Sequence, residues 1–227
     1  MEARTDWSWA RWLDAEDEEF REVFLAAKTG PVELLDKLSL WPARLAAGRE
    51  GEFRRVGEAY IHVSAVLGEG CRIEGPAYIG PGARLGFGAY IRGPVLMGRE
   101  AGLGHCSELK QSLILYGVEI PHFNYVGDSV LGEYSHLGAG AVLSNVRQDG
   151  KEVRLQLPEG LWPQPRRKFG AVLGAGVEVG CQAVLAPGTS VGRGSRIYPL
   201  SFVRAAVPER SLVKGTGRAP EALRPTE

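Results

Sequence analysis

The 227-residue sequence predicts an all-β solenoid, a chain wound as a prism of short parallel strands, with a small helical segment ahead of it. Three observations predict it. Every sixth residue from Ile61 is a large aliphatic: Ile61, Leu67, Ile73, Ile79, Leu85, Ile91, Met97, Leu103, Leu109 and Leu115. With such residues at about 30% of positions, ten successive hits arise by chance about once in 100,000 per starting phase. The residue two before the aliphatic is usually small, as at Ala65, Cys71, Ala77, Ala83, Ala89, Ala101 and Ser107. Glycine commonly follows the aliphatic, as at Gly68, Gly80, Gly86, Gly98 and Gly104, and the 31 glycines are about twice the usual ~7%.

Neither the helical period nor strand alternation produces a strict six. In a prism, one aliphatic per wall fills a narrow interior, a small residue fits where the wall pinches, and glycine tolerates the corner. The phase returns at Leu131, Leu137 and Leu143, and again from Leu173 through Val179, Leu185, Val191, Ile197 and Val203. About twenty inward positions at three per turn predict six to seven coils, stacked about 4.8 Å apart.

Residues 1–55 read as a helical cap over the first coil. Phe20, Val23, Phe24 and Ala27 fall on one helical face. Asp14 is placed to cap that helix, and Gly30-Pro31 to stop it. Pro31 opens a second helical stretch carrying Leu34, Leu35 and Leu38, ended near Trp41-Pro42, and Trp7, Trp9 and Trp12 are expected against the solenoid end. The solenoid is expected over 56–205. Its interruption at 146–168 has a turn at Asp149-Gly150, strand-like alternation at Val153, Leu155 and Leu157, and a basic run Arg166-Arg167-Lys168 that alone reads as a solvated patch. Residues 206–227 read as a polar tail with a short capping segment around Leu212.

With 27 Lys plus Arg against 27 Asp plus Glu, the formal charge is zero. That argues against nucleic acid or anionic membrane held by a bulk basic field. No apolar run reaches the roughly 18 residues of a membrane span, and the acidic start is unlike a signal peptide. Cys71, Cys106 and Cys181, odd in number and without metal spacing, read as reduced thiols of a cytoplasmic protein.

The period fails between Leu115 and Leu131, where position 121, due an aliphatic, is Pro121. Such a break is where a solenoid re-aims a side chain outward. His122 lies there and is the side chain suited to proton transfer near neutral pH. His62, His105 and His136 are too widely spaced for the paired ligands of a zinc site, so no metal is expected.

The run HFNYVGDSVLGEYSHLGAGAVLSN at 122–145, with SELKQS upstream and RKFGAVLGAGVEVG downstream, resembles the acetyltransferase domain of the bifunctional glucosamine-1-phosphate acetyltransferase/N-acetylglucosamine-1-phosphate uridyltransferases. The resemblance spans roughly residues 60–205. It implies a left-handed parallel β-helix, a homotrimer, acetyl-CoA as co-substrate and an amino-sugar 1-phosphate as acceptor. The family's uridyltransferase half has no counterpart in the first fifty residues, which are too few to hold one.

Carried over by position, the resemblance makes His122 the general base and Arg92 and Lys110 the cations for the sugar phosphate. Tyr125 falls on a phosphate- and sugar-contacting tyrosine, and Asn145 on the asparagine that orients the acceptor. Lys151 falls on a substrate lysine, with Lys168 competing if the excursion is an insertion. Ala139 falls where the family's backbone N–H groups bind the thioester oxygen or acetyl-CoA. His136, Cys181 and Pro199 replace the family's asparagine, serine and alanine at the sugar and coenzyme positions. Because both substrates are polyanions, a neutral protein is expected to gather its cations locally around His122. Two alternatives are an acyltransferase of this fold with another acceptor, and a non-catalytic solenoid subunit partnering a nucleotidyltransferase through residues 1–50.

Overall fold

A step of six residues lets the chain lay down a short strand, turn a corner and return, three steps later, one coil further along. A computed structural model shows this winding and describes residues 8–13, 18–215 and 221–222. The strands join into a 14-stranded sheet, which supplies two walls, and a 9-stranded sheet, which supplies the other. Apart from hairpins at either end, neighbours along the solenoid are parallel, and they keep register except for an irregularity between Arg92 and Val95.

Three inward columns fill the interior. The first wall stacks Ile61, Ile79, Met97, Ile114, Leu131, Leu173, Val191 and Val207. The second stacks Leu67, Leu85, Leu103, Ile120, Leu137, Val179, Ile197 and Val213, and the third Ile73, Ile91, Leu109, Val126, Leu143, Leu185 and Val203. Eight rungs on each of the first two walls exceed the expected six to seven coils, because Val207 and Val213 carry the winding past residue 205. Ser211–Val213, expected as a capping segment, is a rung of the second wall.

The register differs from the sequence reading in one coil. The inward residues there are Ile114 and Ile120; Leu115 points out of the coil, and position 121 was not due an aliphatic. Two steps are five residues long, Leu109 to Ile114 and Val126 to Leu131, and both turn the corner from the third wall to the first. In each short corner the chain enters the left-handed region early, at Gln111 (φ 46°) and Asp128 (φ 48°). Buried serines make up the lost backbone pairing. Ser112 Oγ donates to the Lys110 carbonyl at 2.9 Å and accepts from Ser129 N–H at 3.1 Å. Ser129 Oγ donates to the Gly127 carbonyl at 2.8 Å and accepts from Ala171 N–H at 3.0 Å.

Of residues 1–55, expected as a helical cap, the part at the end of the first coil is the closing strand and not the helices. That end is closed by Phe53–Val56, antiparallel to Ala59–His62. The helical segment lies along the outside of the first wall because that wall is apolar on both faces: Tyr78, Leu96, Leu113, Val130 and Val172 point outward and are buried. They form a second core with Trp12, Phe20, Val23, Leu34, Leu35, Leu38 and Trp41 of the segment and with Val153, Leu155, Leu157, Trp162 and Phe169 of the excursion. Helix α1 is Arg21–Ala26, α2 is Pro31–Lys37 and α3 is Trp41–Ala46. Pro42 sits in the first turn of α3, where its missing N–H costs nothing, so Trp41-Pro42 starts a helix where an end was expected. Trp7 and Asp14 lie outside the described residues. The strand-like alternation of the excursion is real and faces this second core, with Gln156–Leu157 and Gly160–Leu161 paired as a hairpin.

Leu113→Ala removes a fully buried side chain from this second core, and a loss of about 2–5 kcal/mol is expected, read as a lowered denaturant midpoint. Glu33 locks α2: its carboxylate pairs with Lys37 at 2.5 Å and accepts from Thr29 N–H at 2.9 Å and Thr29 Oγ1 at 2.8 Å. The Lys37 hydrogen bond, then those from Thr29, hold its pKa at about 2 against an ordinary 4.5. A carboxylate depressed on folding stabilises above its unfolded pKa, and that share is lost as pH falls from 4.5 towards 2. Glu33→Gln should flatten this part of the acid-side stability curve, measured by denaturant unfolding at a series of pH values.

Candidate active site

Because each coil repeats the last, residues two beyond the inward aliphatics of the second wall form one line along the corner between the second and third walls. That line runs Phe87, His105, His122, Ala139, Cys181 and Pro199. Its backbone is laddered: Cys106 N–H donates to the Phe87 carbonyl, Phe123 to His105, Gly140 to His122, Gln182 to Ala139 and Leu200 to Cys181, at 2.9 to 3.0 Å. His122 and the coenzyme positions Ala139, Cys181 and Pro199, scattered in sequence, thus occupy successive coils of one corner, about 4.8 Å apart.

The ring of His122 is exposed and has no hydrogen-bond or ion-pair partner among the described residues. Its backbone is fixed by Asn124, which accepts from His122 N–H at 2.9 Å. Asn124 is buried in the column otherwise held by small residues. Its Nδ2 donates to the Gly138 carbonyl at 2.7 Å, and its own N–H donates to Ser107 Oγ at 3.1 Å. One amide therefore staples three coils beneath the histidine. It was visible in sequence as the asparagine interrupting a column of Ala and Ser. Ala139, one coil on, donates no backbone hydrogen bond among the described residues.

The third wall carries the expected acceptor residues on its outer face. Arg92 stacks on Lys110, and Lys110 on Gly127, by register; Tyr125 stacks on Glu108. Arg92 Nη1 donates to Glu108 Oε1 at 2.8 Å. Tyr125 is half-buried, and burial followed by the charges of Glu108 and Asp128 pushes its hydroxyl pKa up. Lys110 Nζ donates to Asp128 Oδ2 at 2.9 Å, Asn145 Nδ2 donates to the same oxygen, and Arg166 Nη1 donates to Asp128 Oδ1 at 3.1 Å. Asp128, 1% exposed and absent from the sequence reading, is the centre of this cluster.

Arg92, Lys110, Tyr125 and Asn145 are thus brought together on the third wall, but Lys110, Asn145 and Asp128 meet at its corner with the first wall, across that wall from the corner that carries His122, and not around His122 as expected. Arg166 is not part of a solvated patch: its side chain is 14% exposed and bridges Asp128 and Asp36. Lys168 adjoins the cluster through its carbonyl, which accepts from Arg166 Nη1 at 3.1 Å, and its side chain is exposed. Lys151 lies instead in a groove of about 750 Å³ between the excursion and the C-terminal coils of the third wall, lined also by Arg154, Phe202 and Arg204. His136 is on the outside of the second wall, with Nδ1 2.9 Å from Glu178 Oε2, and does not reach the cluster within one chain. Arg92 and Lys110 each have a carboxylate partner, so the local excess of positive charge is smaller than expected. Cys181 and Cys106 are exposed; Cys71 is half-buried and its thiol donates to the Gly86 carbonyl at 3.0 Å. Among the described residues no three His, Cys, Asp or Glu side chains gather as a metal site.

The fold and cluster define a parallel β-helix with a histidine corner beside an anchored cationic wall. The family model of the GMPPB C-terminal domain matches residues 73–184, a span that holds every residue named for the site except Pro199. The chain is 41% identical over 100 residues to a bifunctional sugar-1-phosphate nucleotidylyltransferase/acetyltransferase of Sulfurisphaera tokodaii, covering 44% of this chain and 25% of that protein. It is 38% identical over 107 residues to bifunctional protein GlmU of Methanococcus vannielii, covering 47% and 26%. The resemblance of the repeat region to these bifunctional proteins is thereby shown, and the chain spans about a quarter of the length of the curated relatives it matches. Among solved structures, the acetyltransferase domain of PglB from Neisseria gonorrhoeae aligns at 18% identity and a TM-score of 0.36, over 72% of this chain and 56% of that one. At that score the alignment adds nothing to the assignment.

Gly127 is the close-approach position of the cluster. A Cβ there would lie 2.6 Å from Asn145 Nδ2 and 2.7 Å from the Tyr125 hydroxyl. Gly127→Ala should displace both groups. The expected result is a shifted Tyr125 ring environment with the coil retained, checked by NMR and circular dichroism.

Proposed function

We propose that the chain is an acetyl-CoA-dependent N-acetyltransferase acting on an amino-sugar 1-phosphate such as glucosamine 1-phosphate, in the synthesis of nucleotide-sugar precursors. The observation that carries this reading is the single corner line on which a solvent-facing His122 lies one coil from Ala139 and in sequence with Cys181 and Pro199. Acetyl-CoA lies along this corner with its thioester at Ala139. The acceptor lies on the third wall, its phosphate at Arg92 and Lys110 and its sugar at Tyr125 and Asn145.

As the amine attacks the thioester carbonyl, His122 takes its proton; the N–C bond forms, the C–S bond breaks, and the thiolate of coenzyme A leaves. General-base assistance is worth about 10²–10⁴-fold. The free Ala139 N–H is suited to the developing oxyanion, a further contribution of about 10²–10³-fold. The separation of His136 and Lys151 from the cluster within one chain supports a homotrimer in which neighbouring copies complete each site. Three free cysteines fit a cytoplasmic location, and no described helix is long and apolar enough to cross a membrane.

The carboxylate partners of Arg92 and Lys110 favour a second reading, the same acyl transfer to an acceptor without a phosphate. A scaffold docking through residues 1–50 finds less support, since the apolar face of that segment is used against the first wall.

Thiol release from acetyl-CoA, assayed against glucosamine 1-phosphate, galactosamine 1-phosphate and the unphosphorylated amino sugars, separates these readings. Release with the 1-phosphates alone is the expected outcome; release with none, together with no acetyl-CoA binding, excludes acyl transfer. His122→Ala should lower turnover by about 10²–10⁴-fold while acetyl-CoA affinity and the circular dichroism spectrum stay as in the wild type.

A further inference from the structure

Lys110 and Asn145 stand at the corner between the third wall and the first, one beyond Leu109 and two beyond Leu143. Both end on one carboxylate. Asp128 occupies a short corner in the left-handed region, its N–H donating to the Lys110 carbonyl and its own carbonyl accepting from Gly170 N–H, each at 2.8 Å. The backbone is therefore pinned on both sides before the side chain is considered. Oδ2 takes Lys110 and Asn145, and Oδ1 takes Arg166. A buried carboxylate that accepts from two cations and an amide fixes all three, because each donor's departure would leave charge uncompensated in a dry site.

Two cations on one carboxylate need a second negative charge, and the N-terminal segment supplies it. Arg166 Nε donates to Asp36 Oδ1 at 2.8 Å, so its planar fork spans Asp36 on α2 and the buried Asp128. The inner face of α2, at Leu34 and Leu35, is buried against the first wall, and Gln111, in the other short corner, donates to the Leu35 carbonyl. The chain of contact from helix to cluster is continuous.

We propose that Asp128 is the positioning residue of the acceptor side of the site, and that Arg166 and Asp36 make the N-terminal helical segment part of its frame; the acceptor side itself rests on the acyl-transfer reading. Asp128 holds one N–H of Lys110 and one of Asn145. That leaves the other Lys110 donors and the Asn145 side-chain oxygen as the groups with which this corner would meet an acceptor. Asparagine cannot replace it, because its own NH₂ would be turned on one of the three donors.

The test is steady-state kinetics on Asp128→Asn, Arg166→Lys and Asp36→Asn, with melting temperatures and the side-chain ammonium resonance of Lys110 in ¹⁵N-lysine-labelled protein. Asp128→Asn should lower kcat by about 100-fold, as a displacement near 1 Å does, and raise the acceptor KM while the acetyl-CoA KM stays within about twofold. Asp36→Asn, at an exposed position, should move the same two parameters in the same direction by less, without a change in melting temperature. Arg166→Lys should fall between, since an ammonium cannot span both carboxylates. The Lys110 resonance should be protected in the wild type and lost in Asp128→Asn.

Equal losses in both substrates' KM accompanied by a lowered melting temperature would mark Asp128 as structural only. Wild-type kinetics in Asp36→Asn and Arg166→Lys would remove the helical segment from the site. If Asp128→Asn does not fold, the other two variants decide on kinetics. If the wild type acetylates no acceptor, the acyl-transfer reading fails by itself, and an unchanged Lys110 resonance in Asp128→Asn would separately overturn the hub.

Discussion

The hydrogen-bond ladder between coils is the constraint on which everything else depends. Each coil must repeat the one before it in register, so a residue's wall, facing and neighbours follow from its place in the step. The ladder turns a sequence interval into a spatial column: His122, Ala139 and Cys181 are separated by 17 and then 42 residues, yet occupy adjacent rungs of one corner. It also makes shortened steps expensive, because a lost residue takes ladder bonds with it. Ser112 and Ser129 replace those bonds at the two five-residue corners, and the residues those corners turn outward, Lys110 and Asp128, form the centre of the site.

The molecule has two apolar cores that share a wall. The inner one takes one large side chain and one smaller side chain per wall in most coils. The outer one lies between the first wall, the helical segment and the excursion, and mixes aromatics with aliphatics. The excursion serves both purposes. Val153, Leu155 and Leu157 fasten it to the outer core, and the same fastening delivers Arg166 to Asp128 and places the Asn145 carbonyl where Phe169 N–H donates to it at 3.0 Å. Packing on one wall therefore sets electrostatics on the next.

Much of this was legible in the sequence, and the failures have specific causes. The winding, the inward columns and the grouping of Arg92, Lys110, Tyr125 and Asn145 follow from a period and from motif positions. The register slip arose at Leu113-Ile114-Leu115, where three aliphatics in a row offer the period no way to choose, and the choice is made by a serine-held corner. The second core was misread because an apolar outer face on one wall looks like ordinary strand composition until a covering segment is seen. Asp128 was missed because its partner Arg166 lies 38 residues away across the excursion, beyond any local spacing rule. Asn124 could have been found, since it breaks a column that every neighbouring coil keeps small.

The covering of the first wall has a consequence for what this chain can become. A three-sided prism normally offers three equivalent surfaces to other molecules, but here one side is spent internally. The outer face of the first wall is closed to other molecules, and the solenoid's open surface lies on the remaining two walls. Third-wall side chains that do not end on Asp128 can change without disturbing the outer core. A change on the first wall disturbs its covering segment, and through Asp36 the anchor of the cluster. The solenoid thus has a constrained back and a freer front, a sidedness that its uniform repeat conceals.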